Sequence, residues 1–171
     1  MGASTDTNNV NLHDDPMQRR LDGVLSSLPP LYVVAAGDDA RFVAGPSGAF
    51  VLLPHTDTSR NGAGISAAAN RLDHLVLSTR TALCDHLSWI PFLDSLLVSE
   101  ADIKGPTPVT IVALDLLHDV LTEGPAVIDD ATLAAIRETV RAERLDRWTV
   151  GSGSGAARID LCDPAQPTTT R

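Results

Sequence analysis

The side chains in this chain best suited to holding a metal or moving a proton are His55 and Asp57, two residues apart in His55-Thr56-Asp57. An imidazole takes up a proton near neutral pH, and a neighbouring carboxylate can orient the ring or share a cation with it. Two further acids, Asp38 and Asp39, lie nearby in the chain, ahead of the strand over 41–44. The same residues also read as a polar loop following a strand. The composition of 54–64, Pro-His-Thr-Asp-Thr-Ser-Arg-Asn-Gly-Ala-Gly, favours that plainer reading. Asp115 and His118 are spaced i, i+3, which predicts one side of a short helix. No third donor accompanies them, and a zinc site draws at least three from the protein. Asp73-His74 and Asp85-His86 lie twelve residues apart. That is about 3.3 helical turns, so the pairs do not line up and read as solvated surface.

The nucleophiles lead nowhere further. Cys84 stands next to Leu83 in a helical pattern, and His86 two residues on points away from it, so a buried or half-buried structural thiol is expected. Ser47 lies in Gly45-Pro46-Ser47-Gly48-Ala49, which lacks the final Gly and the following helix of a nucleophile elbow. Gly151-Ser152-Gly153-Ser154-Gly155 lacks the Lys-Ser/Thr of a phosphate loop and reads as a linker. Trp89 and Trp148 are expected in core or lid contacts, because a large ring is costly to leave in water.

These residues must be positioned by a handful of elements. Asp15 can cap a short helix with Pro16 in its first turn, and Met17, Leu21, Val24 and Leu25 fall on one face of it. Pro29-Pro30 stops that helix. Strands follow at 31–36, 41–44 and 49–53, separated by Gly37-Asp38-Asp39 and Gly45-Pro46-Ser47-Gly48, the turn lengths of an antiparallel meander. A long helix over 65–87 sets Ala68, Leu72, Leu75, Val76, Thr79 and Leu83 on one face. Strands at 92–98 and 109–114, a short helix at 115–121 and a last helix at 131–144, with Leu133, Ala134, Ile136 and Val140 inward, complete the order. A helical crossover permits the second strand group to run parallel to part of the first. The predicted fold class is α/β, a mixed sheet of about five strands with a long crossover helix and flanking helices. Residues 1–15 are expected to be a flexible N-terminus, 16–150 one domain and 151–171 a disordered tail rich in Gly, Ser, Thr and Pro.

Composition narrows the function classes. The chain has 171 residues, of which 43% are apolar, enough for a core, while only 4% are aromatic, so that core is aliphatic. The formal net charge is −9, Lys104 is the one lysine, and the arginines are scattered. Duplex recognition rests on clustered Lys and Arg, so the global charge disfavours nucleic acid. No apolar run approaches the ~20 residues of a membrane helix. The first ten residues carry no basic and apolar leader. Cys84 and Cys162 show no framework spacing, and reduced thiols in a cytoplasmic protein are expected.

The strand–turn–strand Gly45-Pro46-Ser47-Gly48-Ala49-Phe50-Val51-Leu52-Leu53 resembles that of nuclease-related (NERD) domains, of restriction-endonuclease-like fold. The chain is similar to actinobacterial members over roughly residues 17–150. The likeness includes the polar loop with Arg60-Asn61, the Ala/Arg-rich helix with 67–71, the strand over 91–98 and a closing helix from Ala131 towards Trp148. The resemblance implies an acid on the second strand and an acid-x-Lys on the third, two carboxylates holding a divalent metal while the lysine activates water. The matching positions here are Ala40 or Arg41, then Leu53, then His55. Leu53 cannot bind a metal, and His55 is no dependable cation. The resemblance therefore implies a catalytically inactive domain that binds or regulates a protein partner and holds no cofactor. Two alternatives stand beside it. One is a Mg²⁺- or Mn²⁺-dependent nuclease with displaced ligands, for which Asp39, His55 and Asp57 are the candidate catalytic residues. The other is an assembly or adaptor protein unrelated to nucleic acid.

Overall fold

A computed structural model describes residues 15–37, 39–56, 62–100 and 107–143. The expectations placed on residues 1–14, Asp38, Asp57, Trp148 and the tail 151–171 lie outside the described residues.

The first helix, α1 (Pro16–Ser26), starts where the sequence marks it: an Asp15 carboxylate oxygen accepts from Met17 N at 2.9 Å, and Pro16 needs no amide partner in the first turn. Its inward stripe is Met17, Gln18, Leu21 and Leu25. Three strands follow, β1 (Val33–Ala36), β2 (Arg41–Gly45) and β3 (Gly48–His55), then α2 (Gly62–Cys84), β4 (Leu93–Ser99), β5 (Thr110–Ala113), α3 (Leu117–Thr122) and α4 (Asp130–Glu143). The five strands form one sheet in the order β1-β2-β3-β4-β5. β1–β2 and β2–β3 pair antiparallel across short turns, whereas β3–β4 and β4–β5 pair parallel. The parallel step from β3 to β4 requires a crossover, and α2 supplies it.

Helices cover both faces of the sheet. On one face Phe42, Val51, Leu53 and Leu97 meet Ile65, Leu72, Leu75 and Leu83 of α2 and Leu133 and Ile136 of α4. On the other, Val43, Phe50, Leu52, Leu96 and Val98 meet Met17, Leu21 and Leu25 of α1 and Leu117 and Leu121 of α3. β3 lies at the centre of the sheet, so both of its faces are covered. That explains why 49–53 is a continuous apolar run rather than an alternating one.

Four expectations are corrected. Strand β1 begins at Val33 rather than at residue 31, because Tyr32 N returns to Pro29 O at 2.9 Å and the double proline carries the chain through a turn first. Helix α2 lies three residues earlier than predicted, at Gly62–Cys84. Both His86 N and Leu87 N fold back onto Leu83 O, which ends it before Leu87. Asp115 is not in α3: Leu114 N bonds Ser99 O at 2.8 Å, which prolongs the β4–β5 contact and holds 114–116 in a turn, so Asp115 and His118 share no helical face. In α4 the inward stripe is Leu133, Ile136 and Thr139, with Val140 half-buried and Ala134 exposed. Thr139 is accommodated there because its hydroxyl donates to Ala135 O at 2.9 Å. Among the described residues, no helix is long and apolar enough to cross a membrane.

Candidate functional site

The candidate residues Asp39 and His55 lie at one end of the sheet, where β2 begins and β3 and β4 finish. Leu53 is 5% exposed and belongs to the core beneath α2 and α4. His55, two residues along β3, projects to the same side and registers with Ser99 of β4. β2 pairs Arg41 with Leu52, so one further step sets Ala40 against Leu53, and Ala40 is fully buried in the same core. Arg41 alternates to the opposite face. Its Nε and one terminal nitrogen donate to the Asp22 carboxylate of α1 at 2.7 and 3.1 Å, and its other terminal nitrogen donates to the Gly37 and Ala40 carbonyls at 2.9 and 3.0 Å. That guanidinium is fully engaged in tying α1 to the β1–β2 turn.

Asp39 lies in the turn that leads into β2 at this end, and its carboxylate is ion-paired with Arg71 of α2. The Nε2 atom of His55 is shielded from solvent and has no hydrogen-bond partner among the described residues. The structure therefore brings Asp39 and His55 to the same end of the sheet, while Asp57 lies outside the described residues. A divalent ion does not fit what is described here. Leu53 is a buried aliphatic side chain with no atom to offer a metal, the negative charge of Asp39 is already matched by Arg71, and no three His, Cys, Asp or Glu side chains among the described residues group around a common point. The Asp39–Arg71 pair was missed by sequence reading, since its partners are brought together by α2 packing on the sheet, and no local pattern encodes that.

The Gly45-Pro46-Ser47-Gly48 turn, at the other end of the sheet, has a structural task at every position. A side chain on Gly45 would overlap the Tyr32 ring. The Pro46 carbonyl accepts from Val127 N at 2.7 Å and from Ile128 N at 3.1 Å. Ser47 donates to Leu121 O, the same carbonyl that accepts from the Tyr32 hydroxyl at 3.1 Å. Gly48 has φ 156°, with the Phe50 ring against the place a Cβ would occupy. The turn thus binds the end of α3 and the approach to α4 to the sheet.

Beside this turn lies a shallow, open cleft of about 370 Å³, lined by Trp89, Ala126, Val127, Ile128, Asp129 and Thr132. Trp89 is 57% exposed, contrary to the core or lid role expected of it, because the chain runs directly from the end of α2 to β4 and no described element covers the ring. Asp129 accepts from Thr132 N at 2.7 Å, which draws its carboxyl below the ordinary value. Asp94 of β4 is exposed as a residue, yet the protein around its carboxyl desolvates it enough to raise its pKa. The one aromatic residue of the cleft, Trp89, was visible in the sequence, but its exposure was not. Cys84, as expected, is half-buried.

Comparison with models of known protein families, with curated proteins and with solved structures gives no match.

Proposed function

We propose that this chain is a catalytically inactive domain on a nuclease-related, restriction-endonuclease-like scaffold, and that it works as a binding or regulatory module. One observation carries the reading: Leu53, at the position where a metal-binding carboxylate is required, is packed into the core beneath α2, with Ala40 beside it on the neighbouring strand. A metal-dependent phosphodiester cleavage needs at least two anionic oxygens on the ion and open positions for water and phosphate. Asp39, bound to Arg71, is a poor replacement, because freeing it would leave that guanidinium without its partner. The order of elements supports the scaffold: three strands, a helical crossover and a return to strands parallel with the third. The net charge of −9 further disfavours a polyanionic substrate.

The test is a cleavage assay of the purified full chain with Mg²⁺ and with Mn²⁺, on duplex DNA, single-stranded DNA and RNA. No cleavage is expected. Metal-dependent cleavage that Asp39→Ala or Asp57→Ala abolishes would overturn the reading in favour of a nuclease with displaced ligands.

A further inference from the structure

One corner of the sheet lies bare on the side that α1 and α3 cover. Asp94 registers with Phe50, whose ring is packed beneath those helices, so Asp94 projects to that side. Phe92, two residues earlier, alternates to the same side. Leu96, the next residue of this row, is buried, whereas Asp94 is exposed and Phe92 is 77% exposed. The cover therefore ends between Leu96 and Asp94.

The last turn of α3 borders this corner. The Ser47 hydroxyl donates to Leu121 O, and a Cβ on Gly124 would lie 3.9 Å from that of Ser47. Ala49 pairs with Leu93, so Ser47 and Gly48 stand one strand away from Phe92. α3 brings its own exposed apolar pair. Val120 N donates to Leu116 O at 3.0 Å, which sets the two side chains one turn apart, and they are 39% and 55% exposed. Acids accompany them. Glu123 N donates to Asp119 O at 2.7 Å, and both residues are exposed. Large apolar side chains that stand together in solvent, rimmed by polar groups, mark contact surfaces on folded proteins.

The charge around the corner identifies what fits it. The segments that build this side, 21–32, 45–50, 92–98 and 107–124, contain no lysine or arginine. Their one histidine, His118, carries charge only towards acidic pH. Their acids are Asp22, Asp94, Asp115, Asp119 and Glu123, of which Asp22 is already matched by Arg41. Arg20 of α1 is held at the far end of β4, where it pairs with Glu100. Arg137 belongs to α4 on the opposite face and is bonded to Leu31 O. A second copy of this chain would bring acids against acids, and a nucleic acid would bring phosphates. The described chain ends at Glu143 of α4, also on the opposite face. A cationic segment of another protein complements both the acids and the apolar side chains.

We propose that this corner docks a cationic amphipathic segment of a partner protein, with apolar side chains seated against Phe92 and Val120 and flanking Lys or Arg side chains facing Asp94, Asp119 and Glu123. The proposal deepens the non-catalytic reading and rests on it, since a module without chemistry of its own acts through what it holds. Phe92 is the anchoring residue, in keeping with the dominance of buried aromatic rings in binding energy. The acids steer the segment and fix its register. The protein around the Asp94 carboxyl already raises its pKa by desolvation, and a cation brought beside it draws that value down again. Docking therefore has a signature besides affinity.

The experiment titrates the isotopically labelled full chain with an acetylated twelve-residue peptide of Leu, Phe, Lys and Arg. Two controls carry Ser in place of Leu and Phe, or Glu in place of Lys and Arg. By calorimetry the cationic amphipathic peptide is expected to bind ~10-fold or more tightly than either control. Phe92→Ser is expected to weaken it by ~10-fold or more, and it leaves the fold in place because Phe92 belongs to neither core. The pair Asp94→Asn with Glu123→Gln should reduce the salt dependence of binding. The NMR titration of the Asp94 carboxyl should move to lower pH when the peptide is bound. Binding equal to that of the Ser control, or unaffected by Phe92→Ser, overturns the proposal. An Asp94 carboxyl that titrates alike with and without bound peptide places the peptide elsewhere and overturns it. A dimer in sedimentation that Phe92→Ser disperses gives the corner to a second copy and overturns it. Nuclear Overhauser contacts between Phe92 and Trp148 in the free chain give it to residues 144–171 and overturn it equally. The cleavage assay is run on the same preparation. Cleavage would remove the non-catalytic reading and leave the docking result standing, while failure to bind would remove the docking site alone.

Discussion

Gly45 has no room for a side chain, because a Cβ there would fall inside the ring of Tyr32. The ring cannot retreat freely, since its hydroxyl is bonded to Leu121 O at 3.1 Å and lies 3.2 Å from the Ser47 hydroxyl. Gly45→Ala is therefore expected to lower stability by ~1–3 kcal/mol, the usual cost of overpacking, in urea denaturation. The same change in a Tyr32→Ala background should cost measurably less, and equal costs in the two backgrounds would refute the steric account. Asp94 yields a pH prediction. Its carboxyl is raised above the ordinary 3.8, so the folded chain holds a proton that the unfolded chain has released. Stability contributed by Asp94 is thus present below the unfolded value and declines as pH rises through the folded one. Asp129 is lowered and acts in the opposite sense, its contribution declining as pH falls. Asp94→Asn should remove the decline on the alkaline side of 3.8, seen as a flatter profile of urea midpoint against pH. A profile unchanged by the substitution would exclude Asp94 as its source.

Strand β3 leaves no room for a charge at its centre. Its first six residues are buried, and Leu53 lies under α2 rather than at an open mouth. Leu53→Asp would bury an unpaired carboxylate in an aliphatic core, and a loss exceeding ~3 kcal/mol is expected in denaturant unfolding. His55→Lys should be milder, because that position is only half-buried and a lysine stem can lead its charge out to solvent. If Leu53→Asp unfolds no more readily than the parent, the site is more open than its packing indicates. The elements were legible in the sequence where period and punctuation agreed. The apolar stripe of α2 announced its inward face, and Asp15 with Pro16 announced the start of α1. The misreadings arose where a long-range contact outranked local pattern. The Leu114–Ser99 bond kept Asp115 out of α3, and a threonine hydroxyl satisfied by its own helix took an inward place in α4. The Arg41–Asp22 and Arg71–Asp39 pairs join residues far apart in the chain and could not be read in advance.

The described residues form a sheet clad on both faces, and among them the two cores draw on residues within 17–140. Truncation at Gly151 should accordingly leave the melting temperature within ~8 °C of the parent, and a larger fall would show that the C-terminal segment is bound to the domain. The sequence indicated this layering through its order of strands and helices. It could not indicate that the aromatic cleft and the Asp39–His55 end lie at opposite ends of the strands, since that depends on the direction in which each strand runs. The mixed pairing also imposes a schedule on synthesis. β1, β2 and β3 can pair as soon as they leave the ribosome, but the other edge of β3 waits for β4, roughly 40 residues later. At about 5–20 residues per second that interval lasts about 2–8 s. Throughout it, Phe50-Val51-Leu52-Leu53 presents an uncharged, unpaired strand edge to every other nascent chain nearby. A chaperone that covers this edge until β4 has emerged, or fast codons between β3 and β4, would reduce the exposure that matters most to its yield.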